Sequence, residues 1–343
     1  MKILTLEEIK QIGNIPINFV IGKERSGTTL LQVILNGHPN ISAPPESRFI
    51  MLFHSRYGNI KSWTEKELIN FCNDLFKEKA FKRDWNIDKD SLLKSFITAK
   101  DIATYPLLCK IIFYHFSFGK DTKLFFDKNP IYCNFLPQLG TLFPEAKYIH
   151  LVRDYRANIV SHRRVFMIKR GPDISYRWLK MNMEVENAKS RCPKCFLTIK
   201  YENLVSEPEK IMKEFCTFLN IPFDEKMIWE HTKNVYPSYK VNNNKKFKSI
   251  HQKVFTPITA SFVHEWKKVL PSDDIFEAEK IAGEYAEKMY KYPKVFPAKS
   301  APVGVFMQSI LKLRYELIKN TYITVLNSPK LYIVITKYVW KNF

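Results

Sequence analysis

No stretch of the 343-residue sequence reaches the ~20 consecutive apolar residues that a membrane-crossing helix needs. The opening residues, Met1-Lys2-Ile3-Leu4-Thr5-Leu6-Glu7-Glu8, turn acidic before an apolar core develops, so no secretory leader is expected. Cysteine is scattered, with six residues at 72, 109, 133, 192, 195 and 216. In a chain this long that spacing excludes a disulfide framework and makes a reducing, bacterial-type cytoplasm the expected compartment. Cys192-Pro193-Lys194-Cys195 is one CxxC without a second pair, too little for a zinc site, and reads as a turn before a strand. Internal repeats, low-complexity blocks and nucleic-acid-binding motifs are missing too. Acidic residues are outnumbered: 54 Lys and Arg against 34 Asp and Glu leave a formal charge of +20. Without a nucleic-acid signature, that charge points to an anionic membrane or a highly charged nucleotide.

What is present is a globular composition, 45% hydrophobic and 26% charged, with length for one large α/β domain or two smaller ones. The apolar run 17–21 reads as a buried strand, and residues 30–35 as the start of a helix. Between them stands Gly22-Lys23-Glu24-Arg25-Ser26-Gly27-Thr28-Thr29. Strand, glycine-bounded loop and helix form a phosphate-binding arrangement, in which backbone N–H groups and a helix N-terminus hold an anion. The spacing is that of G-x-x-x-x-G-K-[ST], except that Thr28 replaces the lysine. That lysine reaches the β- and γ-phosphates, so its absence argues against ATP and GTP. The Thr29 hydroxyl is kept, and Arg25 places a cation inside the loop.

Arg25-Ser26-Gly27-Thr28-Thr29-Leu30-Leu31 resembles the 5′-phosphosulfate loop of the sulfotransferases that use 3′-phosphoadenosine-5′-phosphosulfate (PAPS). It is nearest to the branch holding the protein-tyrosine sulfotransferases and many bacterial enzymes. Residues 148–161, with Arg153, Asp154 and Ser161, are similar to the family's strand and 3′-phosphate block. Glu46-Ser47-Arg48 and Asp127-Lys128-Asn129-Pro130 stand where the family has its base and its cationic lysine. Tyr201-Glu202-Asn203-Leu204 follows a strand as in the family. The resemblance spans roughly residues 15 to 290. It implies a three-layer P-loop-type α/β fold, a central parallel sheet flanked by helices, with a helical insertion after the first β-α unit.

Along the chain, residues 1–293 are expected to form the catalytic domain. Within it, 55–120 is the helical, acceptor-side insertion; Leu68, Ile69, Cys72, Leu75 and Phe76 share one face there. Helices are expected from 154 to about 169, over 173–190 and 207–219, and over 276–290, with a strand over 196–200. Residues 231–264 contain no acid and six lysines, so a mobile basic loop covering the nucleotide is expected at 231–256. Residues 294–343 form a basic tail in which Phe306, Ile310, Leu313 and Leu317 fall on one helical face. That pattern suits peripheral contact with an anionic membrane face, or packing on the catalytic domain.

Sulfuryl transfer is an in-line displacement needing orientation of donor and acceptor, proton removal, and charge neutralisation on the leaving phosphate. The resemblance assigns Arg25, Ser26, Gly27, Thr28 and Thr29 to the 5′-phosphosulfate, Arg153 and Ser161 to the 3′-phosphate, and Tyr201 and Lys253 to the nucleotide. It makes Glu46 the general base, Lys128 the group at the bridging oxygen, and Arg25 a further catalytic cation. His54 is the alternative base, and Arg48 is placed to position acceptor or base. Thr256 departs from the tyrosine-sulfating pattern, which has lysine before proline. The expected enzyme is a PAPS-dependent sulfotransferase acting on an acceptor hydroxyl, without a metal. A P-loop small-molecule kinase and a non-catalytic polyanion- or membrane-binding protein remain as alternatives.

Overall fold

The computed structural model describes residues 2–166, 168–234, 255–296 and 303–338. Five parallel strands form one sheet: β1 (Ile17–Ile21), β2 (Ile41–Ser42), β3 (Leu124–Lys128), β4 (Tyr148–Val152) and β5 (Phe196–Lys200). Their spatial order is β2-β3-β1-β4-β5. Every residue of β1 and β4 is buried. Near-continuous apolar strands of this kind belong to a parallel sheet covered on both faces. The expected α/β architecture, a parallel sheet between helices, is what the chain adopts.

Register carries the site. Val20 pairs with Lys128, Ile21 with His150, and Val152 with Lys200. The carboxyl ends of β1, β3, β4 and β5 therefore lie side by side. In open α/β sheets ligands bind outside the carboxyl ends, where the strand order reverses. Here the reversal falls at central β1.

The insertion is helical, as expected: α3 (Phe49–Tyr57), α4 (Glu65–Leu75), α5 (Lys79–Asp84), α6 (Lys89–Thr98) and α7 (Tyr105–Phe116), after α1 (Leu6–Gly13) and α2 (Thr28–Asn36). Thr64 caps α4 through a reciprocal capping box with Glu67. Aromatic packing binds the insertion, with Phe49 edge-on to Trp85 at 5.4 Å and Phe71 stacked on Phe96 at 5.7 Å.

Two boundaries and one cysteine pair differ from the sequence reading. After α8 (Leu136–Leu142), α9 spans Tyr155–Arg163, shorter than the expected run to about 169. The Arg163 guanidinium bonds the Lys169 carbonyl and Asp274, and Gly171-Pro172 opens α10 (Gly171–Arg191), so the chain turns in between. The run expected over 276–290 is longer and interrupted. It begins at Ser272 and passes through a π-helical turn, Glu279–Gly283. That turn holds the buried Glu279 against Arg156 at 3.1 Å and against the Val295 and Phe296 amides. Lastly, Cys192 and Cys195 are joined in a disulfide within the turn before β5, while the other four cysteines are buried thiols. A short 3₁₀ turn, Pro193–Cys195, puts their Cα atoms 5.4 Å apart, within bridging reach.

The tail folds back onto the body. Helix Val305–Leu326 lies against α10 and buries Leu311, Tyr315, Val325 and Leu326. Arg314 pairs with Asp173 and Lys319 with Glu184, both acids on α10. Of the stripe read from sequence, Phe306, Leu313 and Leu317 face solvent on the opposite side, and Ile310 is half-buried. No described helix is long and apolar enough to cross a membrane.

Candidate functional site

Gly27 caps α2 with φ +98° and no side-chain cap, leaving the first amides of that helix free to meet an anion. A β-carbon on Gly27 would collide with the Tyr201 ring. Arg25, in the same loop, also has positive φ, at +70°. Its Nε donates to Ser161 Oγ at 3.2 Å. Arg153 Nη1 donates to the Arg25 carbonyl at 3.3 Å, and the Arg153 guanidinium sits 4.4 Å from the centroid of the Tyr201 ring. Arg25, Gly27, Arg153, Ser161 and Tyr201, spread over 176 residues of sequence, thus meet at one place.

Two guanidinium groups are close here. Burial and, after it, the charge of Arg153 lower the Arg25 guanidinium to about 10. Ser26 Oγ and Arg153 Nε are buried with no hydrogen-bond partner among the described residues. Buried donors without partners beside two adjacent cations fit an anionic ligand. These residues fit the phosphates of PAPS. Behind it, Glu24 ties the loop to its supports: Arg177 of α10 lies at 2.9 Å, Lys23 at 2.7 Å and His162 of α9 at 3.6 Å. Against the cost of burial, the Arg177 and Lys23 charges hold the Glu24 carboxyl well below the usual range. Asn158 Nδ2 adds a bond to the Glu24 carbonyl at 2.8 Å.

The second half of the site is a carboxylate between two cations. Lys128, the last residue of β3, donates from Nζ to Glu46 Oε2 at 2.6 Å, and Arg48 Nη2 donates to Glu46 Oε1 at 3.3 Å. The Lys128 side chain is 4% exposed, those of Glu46 and Arg48 30% and 29%, so the carboxylate opens to solvent over a buried lysine. The loop before Glu46 is held carbonyl by carbonyl. Asn36 Nδ2 bonds Ala43 at 2.8 Å, Gln32 Nε2 reaches Pro44, and Trp85 Nε1 bonds Pro45 at 2.9 Å. On the far side Asn129 Nδ2 bonds the Ser47 carbonyl at 2.9 Å, and Ser47 Oγ bonds Glu78 at 3.1 Å. A loop pinned at Ala43, Pro44, Pro45 and Ser47 presents Glu46 with little freedom, which is what preorganised chemistry requires.

Other expected residues lie elsewhere. His54 is on α3, six residues beyond Arg48, with its ring 6.2 Å from that of Tyr105. Thr28 and Thr29 open α2. Lys253 and most of the expected covering loop fall outside the described residues; at its edges His231 Nε2 meets the Thr256 carbonyl at 3.1 Å. Sequence reasoning did not find Glu78, Tyr322 or Tyr332. Tyr332 Oη accepts from Arg48 Nη1 at 3.1 Å, and the Tyr322 ring centroid is 5.9 Å from the guanidinium. No motif marks these residues; the only sequence signal for the two tyrosines is aromatic content in the tail, and Glu78 has none.

The family profile described as "Sulfotransferase family" matches residues 16–225, more than half of the chain. The sequence is 28% identical to protein-tyrosine sulfotransferase 1 of Danio rerio over 268 residues, 76% of this chain and 68% of that protein. It is 28% identical to the protein-tyrosine sulfotransferase of Drosophila melanogaster over 278 residues, 78% of this chain and 50% of that protein. The chain thus spans between half and about two thirds of the length of these relatives. The fold resembles the sulfotransferase domain of the Synechococcus PCC 7002 olefin synthase, with a TM-score of 0.54 and 23% identity over 79% of this chain and 94% of that one.

Proposed function

The chain belongs to the sulfotransferase family, and from that premise we propose that it sulfates the phenolic hydroxyl of tyrosine in a polypeptide, with Glu46 as general base. The family implies PAPS as donor, which supplies the sulfuryl group and a phosphate leaving group. Arg25, Ser26, Thr28, Thr29 and the free amides of α2 would hold its 5′ side. Arg153 and Ser161 would hold the 3′-phosphate, with Tyr201 against the nucleotide.

Glu46 removes the hydroxyl proton of the acceptor as its oxygen forms the new bond to sulfur. The bond from sulfur to the phosphate oxygen breaks, and the products are a sulfate ester and 3′-phosphoadenosine-5′-phosphate (PAP). Lys128 contributes the cation that neutralises charge developing on the departing oxygen. Arg48 keeps the carboxylate aimed. The observation carrying this reading is the 2.6 Å contact between Lys128 and Glu46 at the carboxyl edge of the sheet, the same edge as the anion-binding loop. The tyrosine acceptor is supported by the names of the relatives. Transfer of radiolabel from [³⁵S]PAPS to a tyrosine peptide, with the phenylalanine peptide as control, tests it. Label on a sugar or lipid hydroxyl and none on the peptide would overturn the acceptor.

A further inference from the structure

We propose that the tail completes the catalytic pocket: Tyr332 and Tyr322 are positioning residues that hold Arg48 against Glu46. The proposal rests on the reading of Glu46 as the base. Both tyrosines lie outside the part of the chain matched by the family profile. Tyr332, 2% exposed, receives a hydrogen bond from Arg48 Nη1 at 3.1 Å and donates its own proton to Glu78 Oε1 at 3.2 Å. Glu78 is wholly buried on the loop before α5, where its other oxygen accepts from Ser47 Oγ at 3.1 Å and from the Phe81 amide at 2.5 Å.

The donors run in one direction. Glu78 accepts from Tyr332, Tyr332 accepts from Arg48, and Arg48 donates its remaining terminal nitrogen to Glu46. A phenol has one proton, and Glu78 takes it, so the oxygen facing Arg48 can only accept. That fixes which guanidinium nitrogen turns to the tail and which to the carboxylate. The Tyr322 ring adds a cation–π contact. Tail and insertion are also pinned directly, Ser55 Oγ donating to the Asn327 carbonyl at 3.0 Å. The tail is therefore part of the acceptor side of the enzyme.

The test is Tyr332→Phe, which keeps the ring and deletes the hydroxyl, with Tyr322→Leu as a second variant acting on the same guanidinium. The turnover number for [³⁵S]PAPS and a tyrosine peptide should fall roughly tenfold in Tyr332→Phe. PAP affinity by calorimetry should stay near wild type, while the melting temperature falls modestly because the buried Glu78 Oε1 loses its donor. Modification of Arg48 by phenylglyoxal, followed by peptide mass spectrometry without any acceptor, should accelerate severalfold in both variants. Unchanged Arg48 labelling and unchanged turnover in both variants overturn the proposal. So does a turnover loss matched by an equal loss of PAP affinity in both variants, the pattern of a structural residue. If the wild type sulfates no acceptor yet Arg48 labelling still accelerates, the hold on Arg48 stands and the assigned reaction falls.

Discussion

Lys128 and Glu46 are 82 residues apart in the chain and 2.6 Å apart in space. One comes from the end of a strand whose register is fixed by pairing, the other from a loop pinned at four flanking residues.

The first prediction follows from that pair. Glu46→Gln should lower turnover by ~10²–10⁴-fold, the usual contribution of a general base. Lys128→Ala should also lower it. Both should bind PAP nearly as well as wild type in calorimetry. Near-normal turnover by Glu46→Gln would remove it from the mechanism and turn attention to His54.

Arg153 and Ser161 should separate PAP from AMP. Arg153→Ala removes a cation from a buried pair, and a hydrogen bond to a charged group contributes ~1.5–3 kcal/mol. PAP affinity should drop about 10- to 150-fold, with a much smaller change for AMP. Equal losses for the two nucleotides would place Arg153 away from the 3′-phosphate.

Gly27→Ala carries two penalties, a positive φ of +98° and a collision with the Tyr201 ring. Gly119 has φ +89° but nothing within 4 Å of an added β-carbon, so Gly119→Ala isolates the backbone part. That part should be ~1–3 kcal/mol. Gly27→Ala should be the less stable variant in thermal melts and should lose PAP binding. Equal melts and intact binding would refute the close packing of Tyr201 on the loop.

Acid should unfold the protein earlier than its surface charge suggests. Burial pushes His150, fully enclosed and 2.9 Å from Asn182 Oδ1, down to about 4, and His115 likewise to about 4. An unfolded histidine titrates near ~6.5. The unfolded chain therefore binds protons that the folded one refuses. Stability is fully present above about pH 6.5 and is lost as the pH falls from there towards 4. Urea midpoints measured from pH 7.5 to 4.5 should decline over this window, and less steeply in His150→Gln. A midpoint independent of pH would contradict it.

The local half of this protein was legible in the sequence. The run 17–21, the loop from Gly22 to Thr29 and the strand at 196–200 each carry their own pattern, an apolar run or glycine spacing, and they fold as read. The insertion was legible as helices because its apolar residues repeat at helical spacing. What stayed hidden was tertiary. The early end of α9 depends on Arg163 finding the Lys169 carbonyl and Asp274. The face the tail helix buries is set by α10 and its acids Asp173 and Glu184, not by the apolar stripe through Phe306 and Leu317. Tyr332 reaches Arg48 across 284 residues, a contact that no local periodicity records.

The pairing of Val20 with Lys128 makes the place of the lysine discrete. Side chains on a strand alternate between the two faces of the sheet, so a slip of one residue, about 3.3 Å, would carry the ammonium group to the wrong side. No partial misplacement is available to it. Insertions and deletions should therefore divide sharply by position. One residue added within Leu124–Lys128 breaks the alignment with Glu46, whereas one added in the turn before Leu124 is absorbed there. Length variation across this family fold can accumulate between the strands while the strand ends stay fixed in phase.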